Sequence, residues 1–273
     1  MPIVAGFTFL AAALLFLALI TRKRFRRLWD EFLSLRRELQ GTQKELVSVR
    51  KNLLLLSLTS PLRLPARLPS EDGEEIFLYN FFNRKRSGFY VEIGAFNGVE
   101  LSNTYFFEAI GWDGILIEPD PSLYRQCLLS RPNSKVINAA ASDREGSLQF
   151  TCATGREWLS FSGEDKAREE RIIANGGTIN KLQVPCLTLN EILKDVHGEI
   201  DFVSLDVEGH ELSVLKGFDL DRFRPRVIVI EQNDLDTDSP VSNLLRHHGY
   251  RKKLHLGSNS FYVHQDDQGT FSW

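Results

Sequence analysis

At 273 residues, with 42% hydrophobic and 25% charged residues, the chain is long enough for one α/β domain with extensions and can build a sizeable core. A net charge of −3, from 33 Lys and Arg against 36 Asp and Glu, leaves no footprint for nucleic acid. Cys127, Cys152 and Cys186 are widely spaced and form no Cys-x-x-Cys pair, which argues against a disulfide framework or a zinc site. They read as free core thiols in a reducing compartment.

Ile3–Ile20 is an uncharged apolar run of 18 residues. As a helix it would span about 27 Å, enough for a hydrocarbon core. A signal peptide carries its positive charge before the apolar run. Here Arg22, Lys23, Arg24, Arg26 and Arg27 follow it instead. The pattern predicts a single transmembrane anchor at residues 1–21, with the rest of the chain on the cytoplasmic side. From 22 to 59 a heptad-like seam follows: Leu28, Phe32, Leu35, Leu39, Thr42, Leu46, Val49, Leu53 and Leu56. Two readings fit it, an amphipathic helix lying on the membrane or on its own domain, and a coiled-coil-like stalk that makes a homo-oligomer through residues 28–56.

Pro61, Pro65 and Pro69 make residues 60–69 a stiff linker, and the globular domain is expected over 70–273. Ser70-Glu71-Asp72-Gly73-Glu74-Glu75 should start a helix, its acids placed for the helix dipole and its apolar face (Ile76, Phe77, Tyr79, Phe81, Phe82) packed inward. Phe89–Ile93 is rich in β-formers and ends in Gly94-Ala95-Phe96-Asn97-Gly98 before a helical pattern, which is the opening of a nucleotide-binding βαβ unit. Glu92, one residue before the strand ends, is placed to accept hydrogen bonds from a cationic or hydroxyl-bearing ligand. A second strand, Gly114–Glu118, ends 24 residues after Gly94 in an acid. An acid about 20 residues on, at the end of the second strand, accepts hydrogen bonds from ribose hydroxyls in such folds. Pro121 suits the first turn of the next helix.

Lys135–Ala139 reads as a third strand. The small residues after it leave room for a flat ring, with Ser142 and Asp143 for an exocyclic amine; adenine is the natural candidate, a simple turn the alternative. Ser147–Cys152 and Lys181–Leu187 look strand-like, and the polar stretch Thr154–Gly177 between them reads as a long specificity loop. Glu199–Val207 carries a strand ending in Asp206-Val207-Glu208-Gly209-His210-Glu211. Its acids and His210 are expected at the crevice, with His210 either a general base or a helix cap. Asp206 with Glu208 as a cation pair is the weaker reading, and no metal is expected. Arg226–Ile230 is a last central strand, ending in Glu231-Gln232-Asn233, and Tyr250–Leu256 with Phe261–His264 reads as a closing hairpin.

These residues together resemble the FkbM-type methyltransferases. The resemblance runs over roughly 70–264 and rests on Ser70–Phe82, Phe89–Thr104, Gly111-Trp112-x-Gly-x-Leu-Ile-Glu-Pro, Asn138–Asp143, Leu205–Glu211 and Val214–Gly217. It implies a seven-stranded Rossmann-like fold and transfer of a methyl group from S-adenosylmethionine, most often to a hydroxyl oxygen. Carried over by position, Glu92, Gly94, Ala95 and Asn97 would hold the methionine part, Glu118 the ribose, and Ser142 and Asp143 the adenine. Asp206, Glu208 and His210 would flank the transferred methyl. Phe96 departs from the small or polar residue common there and is expected to crowd the methionine pocket.

The sequence therefore reads as a membrane-anchored S-adenosylmethionine-dependent O-methyltransferase whose acceptor is a small molecule, a glycan or a lipid-linked substrate. A catalytically silent adaptor that oligomerises through the stalk and binds a protein partner is the alternative, since some relatives with this architecture act in membrane trafficking. An NAD-dependent oxidoreductase is disfavoured because no Gly-x-Gly-x-x-Gly follows the first strand.

Overall fold

The computed structural model describes residues 34, 36–37, 41–42, 44–49, 68–232 and 238–271. The chain divides into two units, with the boundary between Leu53 and Leu54. The expected membrane anchor, most of the stalk and the linker up to residue 67 lie outside the described residues. Among the described residues, no helix is long and apolar enough to cross a membrane. The described part of the first unit is helical, and its seam residues Leu46 and Val49 are exposed.

The second unit opens with α1 (Glu74–Phe81), then β1 (Phe89–Ile93), α2 (Tyr105–Ala109), β2 (Asp113–Ile117), α3 (Pro121–Ser130) and β3 (Lys135–Ile137). A second set follows: β4 (Ala140–Ala141), β5 (Gly146–Thr154), β6 (Phe161–Ser162), α4 (Lys166–Ala174) and β7 (Thr178–Leu187). The chain then returns through α5 (Leu189–Ile192), β8 (Phe202–Leu205), α6 (Glu211–Lys216), α7 (Leu220–Phe223), β9 (Val227–Glu231), α8 (Pro240–His247), β10 (Tyr250–Leu256) and β11 (Asn259–His264).

The main sheet has seven strands in the order β10-β11-β9-β8-β1-β2-β3. The strands from β3 to β9 run parallel, and β11 is antiparallel to both β9 and β10. This is the seven-stranded Rossmann-like α/β fold that the resemblance implies. Alternation along the central strands sorts their side chains into two cores. Tyr90, Phe202, Val227 and Val229 join an aromatic cluster with Phe106, Phe107 and Trp112. Val91, Ile93, Val203, Leu205, Ile228 and Ile230 join an aliphatic one under α5 and α6. Within the aromatic cluster, Phe107 lies 4.8 Å from Trp112 and 4.9 Å from Phe202, centroid to centroid, within the range where ring pairs attract. Cys127, Cys152 and Cys186 are free and buried.

Glu74 and Glu75 lie in the first turn of α1, as the sequence suggests, and both are fully buried. Glu74 accepts hydrogen bonds from Asn259 Nδ2 (2.8 Å) and the Asp72 amide, Glu75 accepts them from Ser70, and burial raises the Glu74 pKa. The stretch Thr154–Gly177 is not one long loop. β5 and β7 form a continuous antiparallel ladder from Gly146↔Cys186 to Thr154↔Thr178, and α4 sits in their connection, started by the Asp165 side chain on the Arg168 amide. With β4 and β6 they build a second, four-stranded sheet.

One buried network ties the parallel strands to α3. Arg131, the first residue after α3, is 1% exposed. Its Nε donates to Glu108 (2.8 Å) and its Nη1 to Glu92 (3.3 Å) and the Gly98 carbonyl (3.0 Å). Nη2 donates to Tyr90 Oη (2.7 Å) and Thr104 Oγ1 (2.8 Å). Removing one partner of a buried ion pair strands the other, at a cost of about 3–5 kcal/mol. Arg131→Met should lower the urea-unfolding free energy by that order. Adding Glu92→Gln and Glu108→Gln to it should recover part of the loss; a triple variant less stable than Arg131→Met would count against a charge-pairing role.

Candidate active site

The carboxyl ends of β1, β2, β8 and β9 open onto a cavity of about 270 Å³. It lies where the connections leave β1 for β2 on one side and β8 lies on the other, the position at which open α/β sheets hold ligands. Gly94 turns the chain there with φ +82°, and a Cβ on it would lie 1.8 Å from the Asp206 carbonyl oxygen, so no other residue fits without moving β8. The Gly94 and Ala95 amides both donate to the Ile117 carbonyl, fixing the turn to the end of β2.

Phe96 finds its explanation in the backbone. It has φ +52°, a left-handed conformation uncommon for an aromatic residue, and this geometry accompanies an amide that donates to Glu118 Oε2 at 2.9 Å. The other Glu118 oxygen accepts from the Asp120 amide at 2.8 Å. Glu118 is therefore the brace between the first turn and the start of α3, and burial pushes its pKa up to about 8. It still lines the cavity, as do Glu92, Gly94, Ala95, the small residues Ala139 to Ala141, and Phe150 behind them. Glu92 is more engaged than its strand position implied. Besides Arg131, it accepts from Ser102 Oγ at 2.8 Å and Thr104 Oγ1 at 2.7 Å.

Asp206 and Glu208, after β8, meet Glu231 at the end of β9. Ligand atoms of the three lie within 4.8 Å of one another. The register Leu205↔Ile230 makes Asp206 and Glu231 neighbours, because each is the next residue of adjacent parallel strands. Glu208 is held at φ +56°. Its side chain accepts from Arg168 Nη2 at 3.0 Å and its carbonyl from Arg168 Nη1 at 2.6 Å, so α4 reaches the site through Arg168. Asp206 is exposed at the cavity wall. Burial, and then the Glu231 and Glu208 charges, raise its pKa well above the ordinary carboxylate range. Burial and Glu231 lift Glu208 to about 7 against the pull of Arg168.

Four residues expected at the site are placed elsewhere. Asn97 Oδ1 accepts from the Val99 and Glu100 amides, so its side chain closes its own turn. His210 Nε2 lies 2.9 Å from Ser142 Oγ, and Ser142 in turn bonds Asp143. None of these four lines the cavity. Burial lowers the His210 pKa, and its role here is to tie the end of β4 to the start of α6.

A family model described as the methyltransferase FkbM domain matches residues 92–252, more than half of the chain. The chain belongs to the FkbM methyltransferase family. No curated protein matches its sequence. Among solved structures, a human methyltransferase 10 domain containing protein is 13% identical, covering 83% of this chain and 98% of its own, with a TM-score of 0.43. Precorrin-6y C5,15-methyltransferase from Geobacter metallireducens is 14% identical, covering 75% of this chain and 90% of its own, with a TM-score of 0.38.

The methyl donor of this family member is S-adenosylmethionine. The cavity's donor set fits it. Glu92, Glu118, Asp206, Glu208 and Glu231 line the interior, with Glu71, Glu100 and Glu157 also in the wall, and no Lys, Arg or His lines it among the described residues. A wall of carboxylates suits a ligand carrying sulfonium and ammonium charges and repels a pyrophosphate. Glu92 and the Gly94–Ala95 turn would hold the methionine part, Glu118 the ribose, and Ala139 to Ala141 with Phe150 the adenine ring.

The positive φ of Gly94 and its contact with Asp206 predict that Gly94→Ala destabilises the fold by at least about 1–2 kcal/mol and abolishes cofactor binding, read by thermal melting and by calorimetric titration. Arg168→Ala should move the Glu208 titration upward from about 7, because the lost guanidinium favoured the carboxylate. Carbon-13 chemical shifts of the glutamate carboxyls against pH read this directly, and an unmoved or lowered midpoint would contradict the pairing.

Proposed function

We propose that this FkbM methyltransferase methylates a hydroxyl oxygen, with the Asp206–Glu208–Glu231 cluster taking the proton that the acceptor loses. The observation that carries the reading is the convergence of the three acids in the cavity wall, where burial and neighbouring charge raise the pKa of Asp206 and bring that of Glu208 to about 7. A general base works best when its pKa lies near the working pH. When bound, S-adenosylmethionine supplies a methyl group already activated on a sulfonium. The chain's own tasks are then to hold the hydroxyl in line and to accept one proton. Asp206 and Glu231 are neighbours on adjacent strands, so the charge of Glu231 favours a proton on Asp206.

The second part of the proposal concerns place. The apolar run at 3–20 and the basic cluster after it support a single-pass anchor with the domain on the cytoplasmic side. The seam residues Leu46 and Val49, 48% and 54% exposed, support self-association of the stalk. A membrane tether raises the local concentration of membrane-borne acceptors, so a glycan or lipid-linked hydroxyl is the acceptor class of choice.

The test supplies membrane extract and S-adenosylmethionine labelled in the methyl group. Label is expected as an alkali-stable ether; label released by mild alkali means an ester and overturns hydroxyl transfer. Asp206→Asn and Glu231→Gln should each cut turnover about 10²- to 10⁴-fold, the usual contribution of a general base, a larger loss than either causes in cofactor affinity. Turnover should survive EDTA; loss on chelation, restored by magnesium or manganese, would assign the three acids to a metal instead.

A further inference from the structure

A second cavity, of about 180 Å³, lies between α8 and the edge hairpin β10–β11. Among the described residues it is lined by Ser242, Arg246, Tyr250, Arg251, Lys252 and Tyr262, three of them cationic and none a carboxylate. Its electrostatics are the reverse of those of the methyl-transfer cavity.

The informative atom is Lys252 Nζ. It is buried from solvent and has no hydrogen-bond partner among the described residues. The nearest compensation is the Tyr262 ring, 5.9 Å from the ammonium and at the outer limit of a cation–π contact. An ammonium taken out of water without a partner is unfavourable, and such a group in a native fold calls for an ion or water to complete it. Among the described residues, no carboxylate lines the cavity beside the neighbouring cations. Arg251 donates to the Arg246 and Tyr250 carbonyls and pairs with no carboxylate among the described residues. Arg246 reaches Asp238 at 3.3 Å, and that carboxylate is 79% exposed and outside the cavity wall. The two hydroxyls are committed to each other and onward: Ser242 Oγ and Tyr262 Oη are 2.7 Å apart, and Tyr262 donates to Gln232.

Lysines on an edge strand commonly serve only to stop edge-to-edge pairing. Lys253 fits that role: it is exposed and sits in the register shift between Lys252 and Leu254. Lys252 does not, because its ammonium points inward.

We propose that this cavity binds a phosphate-type oxyanion, free or carried by a larger molecule, through Lys252, Arg251 and Arg246. Two guanidinium groups and an ammonium around one small cavity match an oxyanion that accepts several charge-assisted hydrogen bonds at once. The proposal is independent of the acceptor and of the methyl-transfer step.

The test titrates the full-length chain with inorganic phosphate, and in a second arm with glycerol 3-phosphate, at low and constant ionic strength. One saturable site is expected in calorimetry, with a rise in melting temperature. Binding to glycerol 3-phosphate and not to inorganic phosphate would assign the site to a carried phosphate group; binding to both, to the oxyanion itself. Lys252→Met should weaken binding at least tenfold and melt no lower than the wild type in phosphate-free buffer, whereas Lys253→Met should bind like the wild type. If Lys252→Met does not fold, Arg251→Gln, at an exposed position, should still weaken binding several-fold. No saturable binding in either arm, or unchanged affinity in both cavity variants, overturns the proposal.

Discussion

The Arg131 guanidinium meeting Glu92 and Glu108 beneath β1 is the interaction on which the arrangement depends. A carboxylate one residue from the end of a central parallel strand is an expensive thing to bury. Arg131, Ser102 and Thr104 together make it tolerable, and in doing so they fix the loop from Gly98 to Thr104 against the end of α3. Glu92 thus faces two ways. It lines the cavity, and it is the anchor of the loop that forms one cavity wall. The cofactor turn is rigid because a charge network, and not only apolar packing, stands behind it.

Backbone strain collects at the same strand ends. Phe96, Leu101 and Glu208 are non-glycine residues with positive φ, and all three line the cavity. Each costs of order 1–3 kcal/mol and persists because neighbours dictate it. Phe96 is held by Glu118 and Glu208 by Arg168, so the strain is tied to the carboxylates that a bound cofactor or acceptor would meet.

Much of this was legible in the sequence. The limits of β1 were readable because a run of β-formers stops at a glycine turn, and the closing hairpin because Gly257-Ser258-Asn259 separates two apolar runs. Glu118 was readable by spacing. What escaped depended on partners far along the chain. Glu92 meets Arg131 39 residues later, and Glu74 meets Asn259 185 residues later. Glu231 joined Asp206 only once β8 and β9 were known to be neighbours. α4 was invisible to periodicity because only Ile172 of its side chains is buried. His210 misled for a local reason: Gly209, with φ +94°, turns the chain after Glu208, and the imidazole finds Ser142 and not the crevice.

Arg168 comes from the connection between β5 and β7 and not from the main sheet, so the two sheets share the work at one cavity. The strand ends of the main sheet are locked by close backbone contact, as at Gly94. The second sheet reaches the same cavity through side chains, Phe150 of β5 in its wall and Arg168 on Glu208. A shift of the second sheet against the first would therefore change the cavity's width and the proton affinity of Glu208 together, coupling the fit of the ligand to the readiness of the base.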